Sequence, residues 1–122
     1  MANEITLNGS LVYDDAYGKK GSLQLFAKLV SVTTRRIVRL IQSVGITEEA
    51  MILGDVSGLG WCMIVNRDAT NFVEVRTGTG GTKFCKIPPL TFALFYFGSG
   101  VTAPFLIADT AAVEVDIFLC SI

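Results

Sequence analysis

Apolar and polar positions alternate along much of this 122-residue chain, and the period is that of β-strands. Successive side chains of a strand point to opposite faces, so a period of two marks one face for the core and one for its surroundings. The pattern is cleanest near the end, where Val113, Val115, Ile117 and Leu119 alternate with Glu114, Asp116, Phe118 and Cys120. The first set is expected inside. Leu90 to Phe97 is apolar on both faces, with Leu90, Phe92, Leu94 and Tyr96 opposite Thr91, Ala93, Phe95 and Phe97. Such a segment reads as a central strand covered on both sides, or as one whose outer face meets another subunit. Trp61 to Val65, Phe72 to Val75, Lys83 to Ile87 and Phe105 to Ala108 add strands of ordinary length, while Ile5 to Tyr13 and Leu23 to Val32 carry weaker alternation.

Two stretches fit more than one template. Ile37, Leu40, Ile41 and Val44 match helical spacing, yet Val38, Leu40 and Val44 share a strand face; the β-branched content favours a strand over Arg35 to Val44. Thr47 to Met51 reads as a short helical turn, with Thr47 as cap and Glu48 and Glu49 in its positive first turn. Twelve glycines punctuate the apolar runs, and Pro88-Pro89 separates two strands because proline lacks the ladder donor. Thr77 to Lys83 is glycine-rich but lacks the Gly-Lys adjacency of a phosphate cradle, and reads as a wide hairpin loop. The expected fold is all-β, an antiparallel β-sandwich of jelly-roll type, forming one domain over residues 1–122 with a flexible N-terminal segment.

Composition sharpens this picture in one respect. Apolar residues make up 51% of the chain, more than a monomer of this size readily hides, so a homo-oligomer or docking on a larger assembly is expected. Ten basic and eleven acidic residues leave a net charge of -1, which gives no overall pull toward nucleic acid or anionic membrane. No charge-free apolar run approaches the roughly 18 residues that span a bilayer, and no signal-peptide pattern opens the chain. The basic residues concentrate early, with Arg35, Arg36 and Arg39 as the local peak. A solvated strand face is their ordinary role, and contact with an acidic partner surface the sharper one.

Chemistry is sparse. The chain has no histidine, so triads built on imidazole are impossible and the commonest general base is missing. Cys62, Cys85 and Cys120 are odd in number and far apart, which suits buried thiols in a reducing compartment better than disulfides or a zinc site. Carboxylates pair at Asp14-Asp15, Glu48-Glu49 and Glu114/Asp116. The last two project from one strand face about 7 Å apart by the strand rise, but an open strand face gives them no cleft to work in. No catalytic residue, metal or cofactor is expected. Within Asn66 to Asn71, the side chains of Asn66, Asp68 and Asn71 can bond backbone groups a few residues away, and are expected to lock a tight strand connection. A calcium or carbohydrate site there would need more ligands than these three. Trp61 is expected in the core or at a subunit contact rather than as a sugar platform.

Several of these residues also carry a resemblance. Val44-Gly45-Ile46-Thr47-Glu48-Glu49-Ala50, Leu53-Gly54-Asp55-Val56, Gly60-Trp61, Asn66-Arg67-Asp68-Ala69-Thr70-Asn71-Phe72-Val73, Ala93-Leu94-Phe95 and Ala108-Asp109-Thr110-Ala111 together are similar to a family of small virion proteins of tailed bacteriophages. The turn around Asp68 is the most specific of these segments. Ile46 stands where that family more often has Thr, and Lys86 to Leu90 replaces its usual turn. The resemblance covers about residues 40 to 120 and implies a multimeric β-sandwich of the virion, assembled in the host bacterial cytoplasm. The resulting expectation is a non-enzymatic capsid decoration or cement protein, a homotrimer whose partner is the major capsid protein or another virion protein. Arg35, Arg36, Arg39, Trp61, Phe95 and Phe97 are its candidate subunit or shell contacts. A tail, baseplate or adaptor component is the alternative, and a receptor- or glycan-binding module using Trp61, Tyr13, Tyr17 or Tyr96 a second.

Overall fold

The computed structural model describes residues 4–31, 36–98 and 100–121. Their regular structure is entirely β: β1 (Glu4–Asp14), β2 (Lys20–Ser31), β3 (Ile37–Val44), β4 (Glu49–Ala50), β5 (Leu59–Asn66), β6 (Val73–Arg76), β7 (Lys83–Ile87), β8 (Phe92–Tyr96), β9 (Phe105–Ala108) and β10 (Val113–Ser121). By its contacts the chain divides into two compact units, Met1–Thr33 and Thr34–Ile122, so the sandwich is narrower than the whole-chain domain expected from patterning.

The first unit is the antiparallel hairpin β1-β2. Asp15 turns it, its Oδ1 accepting the N–H of Tyr17 at 2.9 Å and of Lys19 at 2.8 Å.

The second unit pairs its eight strands from the outside inward: β3 with β10, β4 with β9, β5 with β8 and β6 with β7, all antiparallel. The pairings β10-β5 and β9-β6 complete two four-stranded sheets, β3-β10-β5-β8 and β4-β9-β6-β7. First strand with last, second with second-last, alternating between two sheets, is the jelly-roll topology.

The core lies between the sheets. Val44, Cys62, Ile64, Val73, Val75, Leu106, Val113, Val115, Ile117 and Leu119 are fully buried, and on each strand they occupy alternate positions, as packed sheet faces require. The inward set expected for the last strand is therefore the observed one. Between strands the backbones approach closely at Gly60, where a Cβ would lie 3.0 Å from the Cys120 carbonyl oxygen. It sits beside the register shift between Leu119 and Ser121, so a side chain at Gly60 would push β10 off β5.

Two local expectations are corrected. Thr47 to Met51 contains β4 instead of a helical turn, because its polar groups are claimed from a distance. Gln42, buried on β3, donates from Nε2 to Glu49 Oε1 at 3.1 Å and to the Ala50 carbonyl at 3.0 Å, while its Oε1 accepts the Ile52 N–H at 2.9 Å. These bonds hold the segment extended against β9. Leu90 to Phe97 provides β8, which ends its sheet and so is an edge strand rather than a central one. Its turn residue Leu90 has φ of 56°, a left-handed conformation more natural to glycine.

Candidate interaction surface

The residues with the best-defined chemistry form the turn between β5 and β6. Asn66 is 1% exposed, and its Nδ2 points at the carbonyls of Asn71, Ile87 and Pro88 at 2.9, 3.1 and 3.2 Å. Its Oδ1 accepts the Asp68 N–H at 2.9 Å. Asp68 Oδ2 in turn accepts the N–H of Thr70 at 2.9 Å and of Asn71 at 2.6 Å. Those backbone donors, Asn71 before Thr70, hold the Asp68 carboxyl below its ordinary pKa. Asn71 Oδ1 accepts the Thr110 hydroxyl at 2.7 Å, tying the turn to the β9-β10 connection. Asn66 and Asp68 thus bond backbone groups of the turn as expected, whereas the Asn71 side chain bonds only side chains, those of Asp68, Thr70 and Thr110.

The larger feature is the outer face of sheet β3-β10-β5-β8. Strand register sets its rows: Ile41, Asp116, Val65 and Phe92 lie side by side, as do Arg39, Phe118, Met63 and Leu94. Trp61 stands opposite Tyr96, their rings edge to face at 5.4 Å. Charge gathers toward the β3 side. Asp116 Oδ2 receives Arg67 at 2.7 Å and Arg39 at 3.4 Å, and the two guanidinium groups, Arg67 first, lower its pKa. Across β5 and β8, by contrast, the outward side chains are Trp61, Met63, Val65, Phe92, Leu94 and Tyr96, with Phe92 63%, Leu94 38% and Tyr96 51% exposed. This is a continuous apolar half-sheet, of the kind that marks an interaction site when it is left open.

The candidate contacts divide accordingly. Trp61 lies on this face. Arg36 pairs with Asp55 at 2.7 Å and Arg39 with Asp116, so both already face carboxylates; Arg35 lies outside the described residues. Phe95 and Phe97 are corrected as contacts. Phe95 points inward from β8, and Phe97, just past its end, is 3% exposed and belongs to the core with Phe95 packed against it. Their rings meet each other at 5.0 Å and meet Phe84 at 5.4 and 6.0 Å. Phe92, Leu94, Met63 and Val65, not among the candidate contacts, share the outward face with Trp61 and Tyr96, and their signal was present in the sequence: apolar residues alternating along two strands whose other face is also largely apolar.

Comparison with protein-family models, curated proteins and solved structures finds no match to this chain. Among the described residues no group of three or more His, Cys, Asp or Glu side chains is placed to hold a metal ion, and no helix is long and apolar enough to cross a membrane. The thiols are poor nucleophiles: burial, then Cys120 and Cys85, pushes Cys62 up to about 12, and burial also raises Cys85 and Cys120. An open recess of about 320 Å³ beside Tyr96 is lined chiefly by Leu59, Phe97, Val101 and glycines, with Tyr96 and Thr102 as its hydroxyl-bearing side chains.

Proposed function

We propose that this chain is a non-enzymatic structural protein of a tailed-bacteriophage particle, a decoration protein that binds the head shell as an oligomer and stabilises it. The observation that carries the reading is the apolar half-sheet of Trp61, Met63, Val65, Phe92, Leu94 and Tyr96 on a rigid jelly roll. Jelly rolls serve virion proteins and lectins alike, so the architecture by itself decides nothing. The surface favours protein docking. A sugar site needs polar groups around its stacking platform, whereas Trp61 and Tyr96 are flanked by Met63 and Leu94, and the neighbouring recess is mostly apolar. Many copies, each making modest apolar contacts across neighbouring shell subunits, would reinforce a shell through multivalency.

The test is co-sedimentation of the purified chain with DNA-free heads of the phage that carries it, and separately with its tails. Saturable binding to heads, with heads then surviving higher temperature, is the expected result. Binding to tails alone, or to neither, removes the decoration reading.

A further inference from the structure

The four edge strands of the sandwich are not equally protected. An open edge presents unpaired N–H and C=O groups, and proteins blunt it with charge, proline, bulges or brevity. β4 is two residues long. β7 carries Lys83 and Lys86, is bounded by Pro88, and pairs with β6 through a register shift. β3 carries Arg39. β8 reads Phe92-Ala93-Leu94-Phe95-Tyr96 without charge or proline, and its register with β5 runs unbroken from Trp61↔Tyr96 to Val65↔Phe92.

The backbone shows which groups this edge offers. Asn66 N–H donates to the Thr91 carbonyl at 2.8 Å, and Phe97 N–H to the Gly60 carbonyl at 3.1 Å. Residues 91 and 97 thus turn their backbone groups toward β5. By the alternation of an antiparallel ladder, Ala93 and Phe95 do the same, and Phe92, Leu94 and Tyr96 direct theirs to the free edge. Those three are also the residues that β8 contributes to the apolar half-sheet.

The geometry points to a second copy of this chain as the occupant: two β8 strands pair antiparallel about a two-fold axis through Leu94, joining two four-stranded sheets into one. The strand is complementary to itself in that register. On the outer face Phe92 meets Tyr96 of the other copy and Leu94 meets its own equivalent; on the inner face small Ala93 meets large Phe95. Aromatic and apolar cross-strand pairs of this kind stabilise sheets. The apolar half-sheets of the two copies become contiguous across the axis, doubling the surface available for docking. An isologous pair closes at two copies, rather than the three expected above. The proposal is independent of shell binding, since a dimer that ignores heads leaves it standing.

Sedimentation velocity and residue-resolved amide exchange on the full chain test it. The expected result is a dimer in which the amides of Phe92, Leu94 and Tyr96 slow as protein concentration rises. Leu94→Lys sets two like charges face to face, a juxtaposition that costs several kcal/mol, and should weaken the dimer by about a hundredfold while circular dichroism stays that of the native fold. Ile41→Lys, on the same sheet face but at the far edge, should leave the dimer intact. A monomer at high concentration, a trimer, or a dimer whose three amides still exchange at their dilute rates would overturn the proposal, as would a folded Leu94→Lys variant that dimerises like the parent.

Discussion

The two sheets bury similar inner faces and present opposite outer ones. Outside β4-β9-β6-β7, Arg76 bonds Glu48 at 2.7 Å and Glu74 at 3.4 Å, and Lys83 bonds Glu74 at 3.3 Å. Lys86 lies over the Phe72 ring at 4.0 Å from its centroid. Glu48 also accepts the Gly80 N–H at 2.6 Å, latching the hairpin loop between β6 and β7. Outside β5 and β8 the same alternation yields Trp61, Met63, Val65, Phe92, Leu94 and Tyr96. Both sheets place fully buried residues in the core, so the difference lies on the outer faces: ion pairs run across one, with Ile107 and Phe105 beside Glu74 and Arg76, and an unbroken apolar half-sheet occupies the β5-β8 side of the other.

The largest expected effect comes from breaking this distinction on a single strand. Phe97→Asp buries an unpaired carboxylate among core residues, a cost of the order of a small domain's whole stability, and should unfold the sandwich by circular dichroism. Tyr96→Asp, one residue away on the outer face, should leave the spectrum native and alter only association. Equal damage from both would erase the contrast between inner and outer positions.

Asn66→Ala comes next. It removes the donor facing the Asn71, Ile87 and Pro88 carbonyls, at about 3 kcal/mol for buried groups left without partners, read as a lower urea midpoint at unchanged slope. Acid follows, and it weighs mainly on polar features. Glu48, whose pKa is lowered first by the Gly80 N–H and then by Arg76, Asp68 and Asp116 all lie below their ordinary values of 4.5 for Glu and 3.8 for Asp. A depressed native pKa means the unfolded chain binds more protons in that window. Their stabilisation is therefore complete above the ordinary values, falls as pH drops through the window, and is lost below the native ones. Urea midpoints should decline with acid, and Glu48→Gln should flatten that decline. The smallest effect is a gain: Leu90→Gly relieves the positive φ at the turn joining β7 to β8 and should add about 0.5 kcal/mol in thermal unfolding, strain relief exceeding the added entropy of the unfolded chain.

Legibility followed the range of the forces involved. Period two placed most strands to within a residue or two, with Lys83 to Ile87 and Phe105 to Ala108 matching exactly the observed bounds of β7 and β9, because alternation is a local record of which face is buried. The local part of the turn was legible for the same reason, since Asn66 and Asp68 bond backbone groups within five residues; the reach of Asn66 to Ile87 and Pro88 and of Asn71 to Thr110 was not. Thr47 to Met51 was misread because its partners are Gln42, Arg76 and Gly80, which local propensity does not see. In Leu90 to Phe97 the alternation was right, and so was the grouping of its side chains. A strand apolar on both sides has the same sequence whether it is central or an edge awaiting a partner, and only topology separates the two.

The most direct measurement is hydroxyl-radical footprinting of the full chain across a range of concentrations. The account predicts that Phe92, Leu94 and Tyr96 on the β8 edge lose labelling together as the protein concentrates, while Met63 on β5 and Phe105 on β9 of the other sheet keep theirs. Labelling of the first set that stays constant, or protection that appears on the charged sheet instead, would contradict it.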